Sequence, residues 1–205
     1  MQVSRRVLLA VVPTLALPGV AGAAVDARFA ERGLGAPDAP VSVIEFYSLT
    51  CSHCAAFVRE TMPRVKAELI DTGKLRLVWW DFPLDQVALT AAMVARSLPP
   101  DRYEAFTGAL LATQDRWAFA RNVNPTDELA RMAALAGMPR EAFNRAIADV
   151  ELRNWILTRQ DEGQKKYGID ATPTFVFNGR GAHDRREAGA LGFDAFARIV
   201  AEAAG

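Results

Sequence analysis

Two cysteines three positions apart, Cys51 and Cys54, constrain this chain more than any other feature of its sequence. The residues before them, 41–47, are rich in β-branched and aromatic side chains, which predicts a buried strand. The residues after them, 52–71, carry apolar side chains at helical spacing, which predicts a helix. The cysteine pair is therefore expected where a strand passes into the first turn of a helix.

Residues 63–80 specify the local topology around this junction. Pro63 predicts a kink inside the helix, because proline lacks the N–H of an internal helical residue, and Gly73 predicts the end of the helix. Residues 75–80 (Leu-Arg-Leu-Val-Trp-Trp) predict a second strand. A strand, a helix and a strand of these lengths form a βαβ unit, so we expect two parallel strands with a right-handed crossover.

A long stretch without a convincing strand, residues 85–167, follows the second strand. Proline and glycine predict that it breaks into several helices at residues 99–100, 124–125 and 137–139. Thr126 is the predicted N-cap of one of these helices. Four aromatic residues are predicted to be core side chains rather than a cofactor site: Tyr103, Phe106, Trp117 and Phe119.

The last part of the chain returns to sheet. Residues 174–177 predict a strand, Asn178-Gly179 predicts a tight hairpin turn, and a short polar partner strand is predicted within residues 182–188. Residues 192–204 predict a closing helix. The order is strand–helix–strand, a helical insertion, and strand–strand–helix. The predicted fold class is therefore α/β, with a small mixed sheet and an inserted helical part.

The N-terminus predicts an export signal. Arg5-Arg6 precede an apolar run over residues 7–17, and Ala21-Gly22-Ala23 is the best candidate cleavage site. The alternative is a membrane anchor, but prolines and glycines leave this stretch short of ~20 uninterrupted apolar residues. The predicted organisation is a signal peptide (1–23), a sheet domain in two parts (24–84 and 168–205) and a helical insertion between them (85–167).

The charge of the chain gives no sign of a nucleic-acid partner. Its 24 basic and 24 acidic side chains balance, and because Arg5 and Arg6 belong to the predicted signal, the remainder has a net charge of −2. A near-neutral chain gives no reason to expect nucleic acid or an anionic membrane as a partner. No glycine-rich nucleotide-binding motif follows a strand, so no flavin or nicotinamide cofactor is predicted.

The cysteines are too few and too close together to form a disulfide scaffold. A bridge between Cys51 and Cys54 closes a very small loop and adds little to stability, so the pair is predicted to have a chemical role. The alternative is half of a zinc site, which needs about four ligands. Such a site would combine Cys51 and Cys54 with His183, the one histidine outside the motif, and with a carboxylate.

The position of the motif Cys51-Ser52-His53-Cys54 predicts a reactive thiol. Cys51 begins the helix, where free backbone N–H groups and a partial positive charge stabilise a thiolate, and it is the predicted exposed nucleophile. Cys54, one turn further on, is the predicted buried resolving cysteine. His53 can bring an imidazole near the Cys51 sulfur and lower the pKa of that thiol further. A stabilised thiolate favours the reduced dithiol, so the pair is predicted to be an oxidant.

An acidic residue, Glu45, interrupts the first predicted strand six positions before Cys51. Strand alternation places Glu45 on the same face as Val43 and Tyr47. If that face is buried, the pKa of Glu45 should be raised, and its carboxyl group can exchange protons with Cys54. The alternative is an acid that points to solvent near the end of a strand.

Taken in order, these features resemble the thioredoxin superfamily, and specifically its DsbA-like branch of exported disulfide oxidoreductases. The matching segments cover nearly the whole chain after the predicted signal. They are residues 35–41 (Gly-Ala-Pro-Asp-Ala-Pro-Val), residues 45–54 with the cysteine motif, residues 80–84 (Trp-Asp-Phe-Pro-Leu), the helical insertion, and residues 171–179 (Ala-Thr-Pro-Thr-Phe-Val-Phe-Asn-Gly).

The resemblance implies roles for individual residues. Cys51 is implied to form a mixed disulfide with the substrate and Cys54 to resolve it, with Glu45 as the buried acid beneath the pair. Pro173 is implied to follow a cis peptide bond and to pack against Cys51. Thr172 is implied to offer backbone hydrogen bonds to an extended substrate peptide, as in strand addition.

One departure from the family lies inside the motif. The best-known oxidases of the family have proline before the histidine, whereas this chain has Ser52. The two residues between the cysteines tune the reduction potential, so Ser52 bears on how strong an oxidant the pair is. Ser52, Thr172 and Pro173 are the predicted substrate-contacting residues.

The resemblance also implies a function and its partners. It implies a monomeric periplasmic enzyme that introduces disulfide bonds into exported, cysteine-containing proteins and is reoxidised by a membrane protein of the DsbB type. The short lead-in after the predicted signal argues against a dimeric isomerase. Two alternatives stay open: a reductase or isomerase of the same fold, and a metal-binding or holdase module with Cys51 and Cys54 as ligands.

Overall fold

The computed structural model describes residues 26–205, so the predicted signal peptide, residues 1–23, lies outside the described residues. The strands are β1 Arg32–Leu34, β2 Val41–Tyr47, β3 Leu75–Asp81, β4 Thr174–Gly179 and β5 Ala182–Ala188. The helices are α1 Ser52–Glu60, α2 Met62–Val65, α3 Gln86–Arg96, α4 Tyr103–Ala112, α5 Gln114–Trp117, α6 Pro125–Leu135, α7 Arg140–Ile147, α8 Val150–Tyr167 and α9 Phe193–Ala204. Short 3₁₀ turns span Ala27–Phe29 and Pro100–Arg102, and a π-helical turn spans Lys66–Ile70. From residue 26 onward, no helix has the length and apolar character needed to cross a membrane.

The sheet confirms the predicted α/β class. Its strand order is β1-β3-β2-β4-β5, with β2 and β3 parallel and every other neighbouring pair antiparallel. The parallel pair and the helices between its strands form the predicted βαβ unit. Glu45 pairs with Trp79 of β3 on one side and with Phe175 of β4 on the other. Glu45 therefore lies in the central strand of the sheet.

The edge strand β1 is absent from the sequence prediction, which treats this region as a lead-in. It is three residues long, too short for side-chain alternation to show. Gly33 lies directly against β3, because a Cβ atom at this position would come within 2.6 Å of the carbonyl oxygen of Leu77. A glycine is required for β1 to pair so closely with β3.

The predicted helix over residues 52–71 is kinked, which confirms the prediction made from Pro63. α1 ends at Glu60, α2 begins at Met62, and the π-helical turn follows it. Pro63 cannot donate a hydrogen bond to the carbonyl of residue 59, and it lies in the first turn of α2, where no donor is needed. The single predicted helix is therefore two helices and a π-helical turn.

Along the chain, the helices α3 to α8 all come after β3 and before β4. This stretch is interrupted at residues 99–100, 124–125 and 137–139, where proline and glycine predicted breaks between helices. The predicted N-cap of α6, Thr126, is wrong. Asn124 caps the helix, and its side chain accepts the N–H of Thr126 at 2.9 Å. Pro125 occupies the first helical position, for which its restricted φ is suited, so Thr126 is already inside the helix.

The hairpin between β4 and β5 turns two residues later than predicted. Asn178 and Gly179 belong to β4, and Gly179 pairs with Ala182, so Arg180-Gly181 forms the loop. β4 keeps pairing with β2 as far as Asn178, which moves the turn past this residue. The predicted partner strand within residues 182–188 is confirmed.

Apolar clusters lie on both sides of the sheet and inside the helical stretch. The cluster of the helical stretch contains Tyr103, Phe106 and Trp117, as predicted, and it extends to both cysteines of the motif. The prediction for Phe119 is wrong, because this side chain is 56% exposed. Phe119 lies two residues past the end of α5, so it has no helix face from which to pack inward.

A buried polar network joins the sheet to the helices above it. Asp81, the last residue of β3, accepts hydrogen bonds from Tyr47 at 3.1 Å and from Tyr103 at 3.2 Å. It also forms a buried ion pair with Arg96 of α3, and the two tyrosine hydroxyl groups lie 2.7 Å apart. Tyr47 is the last residue of β2, four residues before Cys51, where the cysteine motif begins. The network therefore holds α3 and α4 against the strand end that leads into the motif.

Candidate active site at the cysteine pair

Cys51 is the N-cap residue of α1. Its backbone N–H donates to the carbonyl of Ser48 at 3.1 Å, which closes a tight turn after β2. Its sulfur accepts the backbone N–H of Cys54 at 3.2 Å, which is the side-chain bond expected of a capping residue. Both cysteines carry free thiols. The strand-to-helix junction predicted from the sequence is therefore the place where the pair lies.

The two thiols differ in accessibility less than predicted. Cys51 is 6% exposed and Cys54 is not exposed at all, so Cys51 is the more accessible sulfur but is not an exposed one. The side chains between them, Ser52 and His53, are exposed. Of the two cysteines only Cys51 has exposed surface, and it is followed in the chain by the exposed Ser52 and His53.

The surroundings of Cys51 lower the pKa of its thiol to about 5. The largest cause is the hydrogen bond from the Cys54 thiol, which outweighs the opposing effect of burial. Thr172 and the backbone N–H groups of Cys54 and His53 lower the pKa further. The contribution of His53 thus comes from its main chain at the helix N-terminus. Cys51 is a thiolate at neutral pH when the pair is reduced.

Cys54 shows the opposite behaviour. Burial raises the pKa of its thiol far above the ordinary value, and the hydrogen bond to Cys51 and the charges of Cys51 and Glu45 act in the same direction. Cys54 is therefore the thiol of the pair that holds its proton at neutral pH. One thiolate stabilised by one thiol is the arrangement that a dithiol needs in order to react through a single sulfur.

Glu45 is buried under this pair, with 1% of its surface exposed. Val43 and Tyr47 on the same face of β2 are buried too, so the predicted shared face is confirmed and the solvent-facing alternative is wrong. Burial raises the pKa of Glu45 to about 8, with Trp79 acting in the opposite direction and the charge of Cys51 adding to the increase. A carboxyl group with this pKa can gain or lose a proton near neutral pH.

Thr172 lies against Cys51 although 121 residues separate the two in sequence. The Thr172–Pro173 peptide bond is cis, as the resemblance implied. The Cys51 thiol, when protonated, donates to the carbonyl oxygen of Thr172 at 3.2 Å. The hydroxyl of Thr172 is buried and has no hydrogen-bond partner among the described residues, so it is free to donate to a Cys51 thiolate.

Two further residues support the motif and were not predicted. The side-chain nitrogen of Gln114 donates to the carbonyl oxygens of Leu49 at 2.8 Å and of Cys51 at 3.0 Å. Thr50 donates to Asp85, the N-cap residue of α3, at 2.7 Å. A glutamine inside a helical stretch carries no local signal of contact with a loop far away in sequence, so sequence analysis could not have found it.

The structure does not bring His183 to the cysteines. His183 is exposed on β5, at the edge of the sheet, whereas both cysteines are buried at the start of α1. Across residues 26–205, no group of three or more His, Cys, Asp and Glu side chains is placed to hold a metal ion. The proposed combination of Cys51, Cys54 and His183 is therefore wrong as a zinc site.

Comparison with known proteins agrees with this geometry. A family model described as thioredoxin matches residues 29–193. The crystal structure of alpha-DsbA1 from Wolbachia pipientis is similar with a TM-score of 0.77 and 31% identity, covering 85% of this chain and 91% of that one. BdbD from Bacillus subtilis has a TM-score of 0.73 at 20% identity, covering 85% of this chain and 92% of that one, which shows the shared fold.

Two curated relatives extend the comparison. A protein of Rickettsia prowazekii named as a protein-disulfide oxidoreductase is 28% identical over 147 residues, which are 71% of this chain and 53% of that protein. A protein of Bacillus anthracis named as disulfide bond formation protein D is 25% identical over 160 residues, covering 73% of this chain and 70% of that protein. The chain spans about half the length of the Rickettsia relatives that it matches. By fold, by motif and by these matches, the chain belongs to the thioredoxin superfamily, in its DsbA-like branch.

Proposed function

We propose that this protein is a thiol:disulfide oxidoreductase that introduces disulfide bonds into exported proteins through Cys51 and Cys54. The observation that carries the proposal is the low pKa of Cys51, about 5, beside a fully buried Cys54 thiol. Only a dithiol whose reduced form is stabilised gives up its disulfide readily to other thiols. The names of the Rickettsia and Bacillus relatives support this class of reaction.

The magnitude of the effect favours an oxidase over a reductase. At pH 7, lowering the pKa of the Cys51 thiol from 9.0 to about 5 stabilises the reduced form by about 3 kcal/mol. Only the two pKa units between 7 and 5 contribute to this free energy, because a thiol whose pKa lies above 7 stays protonated at pH 7. For a two-electron couple this raises the reduction potential by about 60 mV. Such a change is large enough to separate donors of disulfide bonds from reductases such as thioredoxin.

The proposed reaction proceeds in two exchanges. A substrate thiolate attacks the Cys51 sulfur, the Cys51–Cys54 bond breaks, and Cys54 leaves with the electron pair and takes up a proton supplied by Glu45. A second substrate thiolate then attacks the substrate sulfur of the mixed disulfide, and Cys51 leaves as a stabilised thiolate. The substrate gains a disulfide, and its two electrons remain on the enzyme as the Cys51–Cys54 dithiol.

The remaining predicted residues are assigned to substrate contact. Ser52 and His53 are exposed and directly follow Cys51 in the chain, which supports a position next to the bound substrate. Thr172 and Pro173 precede β4, and Thr172 lies against Cys51, so an extended substrate segment can pair with the backbone of this short stretch through hydrogen bonds. In this proposal Cys51 is the nucleophile, Cys54 is the resolving thiol, and Glu45 exchanges protons with Cys54.

The proposed setting is the periplasm. Export would proceed through the signal predicted in residues 1–23, the substrates would be exported proteins with cysteines, and a DsbB-type membrane protein would reoxidise the dithiol. The helical segment over residues 85–167 is proposed as an insertion into the sheet domain, and the protein is proposed to act as a monomer. The alternative with the same site is a reductase or isomerase, which a membrane donor would keep reduced.

An equilibrium redox titration tests the proposal. The protein is equilibrated in glutathione buffers, alkylated and analysed by mass spectrometry for the oxidised fraction. We expect a reduction potential well above the −270 mV typical of thioredoxin. A potential near or below that value would favour the reductase. Oxidation of a reduced substrate protein provides the activity assay, in which Cys51→Ser and Cys54→Ser should each abolish turnover, because neither variant can form the Cys51–Cys54 disulfide.

A further inference from the structure

A cavity of about 310 Å³ opens between the helices and the central strands on the face that carries Glu45. We refer to it as the Glu45 cavity. The buried Glu45 lies at its inner end, and the exposed Asp101 and Ala105 lie at its outer end. Most of the wall between the two ends is apolar and is formed by Val58, Met62, Trp79, Gly108 and Leu111. Its volume is at the lower limit of ligand pockets, which begin at about 300 Å³.

One oxygen of the Glu45 carboxyl group lacks a partner. Its Oε1 atom is inaccessible and makes no hydrogen bond to any described residue, and Glu45 as a whole is 1% exposed. Buried polar atoms in native proteins are nearly always satisfied, so an unsatisfied oxygen at the end of a cavity indicates a partner that enters from outside. Water is held best where several polar groups surround it, whereas most of this wall is apolar. The wall favours a partner with an apolar body.

The charged groups along the cavity favour a cation. Besides Glu45, the acids Asp101 and Glu104 line it, and none of the described side chains in its wall is basic. Lys66 comes within 4.0 Å of Glu104, but it lies outside the wall and its side chain is 43% exposed. A cleft lined with charges of one sign concentrates ions of the opposite sign. The sign of these charges therefore selects a positively charged ligand.

We propose that the Glu45 cavity is a binding site for a small organic cation, which carries a primary ammonium group on an apolar body. The ammonium group donates a hydrogen bond to Oε1 of the Glu45 carboxylate and lies near the indole ring of Trp79, whose π electrons attract a cation. The apolar body fills the space beside Val58, Met62 and Leu111. Neither cysteine lines the cavity, so this binding goes beyond the proposed function and does not depend on it.

Binding of such a ligand displaces a proton from Glu45. Burial is the main cause that raises the pKa of Glu45 to about 8, so the free carboxyl group is protonated at pH 6 and about half ionised at pH 8. The ammonium group pairs with the ionised carboxylate, because a buried charge needs a partner of opposite sign. Below pH 8 the ligand therefore binds with release of a proton, and its affinity increases as the pH rises toward 8.

Other titratable groups surround Glu45 on several elements. They are Cys51 and Cys54 of α1, Tyr47 of β2, Arg32 of β1 in register with Trp79, and Asp101 and Glu104 at the outer end. The two cysteines do not titrate when they are joined in a disulfide. Carboxyl groups in water, tyrosine and arginine ordinarily titrate outside the range from pH 6 to pH 8. In the disulfide form, Glu45 is therefore the group of this set that sets the pH dependence of binding in this range.

The test compares benzylamine with benzyl alcohol, its uncharged analogue, by isothermal titration calorimetry on the disulfide form. We expect the dissociation constant of benzylamine to fall about fiftyfold from pH 6 to pH 8, because the ionised fraction of Glu45 rises from about 1% to about 50%. Buffers of different ionisation enthalpy should show the release of nearly one proton per benzylamine at pH 7. Benzyl alcohol should bind more weakly than benzylamine at pH 8 and should show no comparable change with pH.

Two variants locate the site. Glu45→Gln should bind benzylamine about tenfold more weakly at pH 8 and should lose the proton release, because the charged acceptor is gone. Gly108→Leu should abolish binding by filling the cavity, since a Cβ atom at Gly108 would meet nothing within 4 Å and leucine favours a helix more than glycine does. Ala109→Leu, at an exposed position of α4 that faces a different groove, is the matched control and should bind like the wild type.

Three results would each overturn the inference. They are the absence of benzylamine binding to the wild type at pH 8, a dissociation constant that is the same at pH 6 and pH 8, and equal affinity for benzylamine and benzyl alcohol at pH 8. Undiminished binding to a folded Gly108→Leu protein would place the ligand elsewhere and would overturn it too. Failure of the wild-type protein to oxidise a reduced substrate protein would instead contradict the proposed function, since the binding measurement involves no thiol exchange.

Discussion

The side-chain amide of Gln114 donates a hydrogen bond to the carbonyl oxygen of Cys51 at 3.0 Å. The same nitrogen donates to the carbonyl of Leu49 at 2.8 Å, and Gln114 is 6% exposed. The carbonyl of Cys51 also accepts the N–H of Ala55 in α1 at 3.1 Å. One residue of the helical segment therefore fixes both the turn before the cysteine motif and the first turn of the helix after it.

Gln114→Met should weaken the fold and disturb this turn. The substitution keeps the length of the side chain but leaves the Leu49 carbonyl without its donor, which should lower the free energy of unfolding by about 1–3 kcal/mol. Urea denaturation of the reduced protein measures the change. Gln86→Met, at an exposed position of α3, is the control and should change stability by less than about 0.5 kcal/mol. Equal effects at both positions would refute the assigned role of Gln114.

The hydrogen bond from the Cys54 thiol is the largest cause of the low pKa of Cys51. Cys54→Ala removes this donor and should raise the pKa of Cys51 above about 5, whereas Cys54→Ser keeps a hydroxyl donor and should leave it low. Thiolate absorbance in the ultraviolet, followed as a function of pH, measures the pKa directly in each variant. A Cys54→Ala protein with an unchanged pKa would show that the backbone at the helix N-terminus is sufficient by itself.

Glu45 should make the protein less stable as the pH rises. Its pKa is raised from 4.5 in the unfolded chain to about 8 in the folded one, so between these values the folded state binds a proton that the unfolded state has lost. Stability therefore falls with rising pH across this window, by about 4 kcal/mol at pH 8. Glu45→Gln removes the titration. We expect the variant to match the wild type near pH 5 and to exceed it near pH 8 in urea denaturation.

The same comparison controls for the other titrating group. Cys51 has a lowered pKa, so its contribution to stability increases with pH above about 5 and is lost as the pH falls through that value. This contribution is present in both proteins and largely cancels in their difference. A difference between wild type and Glu45→Gln that does not change with pH would contradict the raised pKa of Glu45.

The ion pair between Asp81 and Arg96 should be one of the most sensitive points of the fold. Its two side chains are 4% and 3% exposed, so Arg96→Met leaves the Asp81 charge buried without a partner. We expect a loss of about 3–5 kcal/mol in the free energy of unfolding, measured by thermal or urea denaturation. Glu68→Gln, which breaks the exposed pair with Arg64, should cost less than about 1 kcal/mol.

Much of the fold could be predicted because its signals are local. The strand β2, the kink at Pro63 and the parallel β3 follow from patterns within about 40 residues, where side-chain periodicity and proline geometry act directly. β1 escaped prediction because three residues show no periodicity, and its pairing depends on the fit of Gly33 against β3. The position of the β4–β5 turn depends on how far β4 pairs with β2, which is a property of the sheet and not of Asn178-Gly179.

The sequence by itself determined the place of the cysteine pair at a strand-to-helix junction and the face of β2 on which Glu45 lies, since both follow from alternation and helix geometry along a short segment. Only the tertiary structure decided what surrounds them. The contact between Cys51 and Thr172 spans 121 residues and that between Cys51 and Gln114 spans 63. The partnerless oxygen of Glu45 and the cavity that opens to it depend on how α4 packs over α1. Long-range contacts and empty space arise from packing among distant segments, and no local pattern of residues records them.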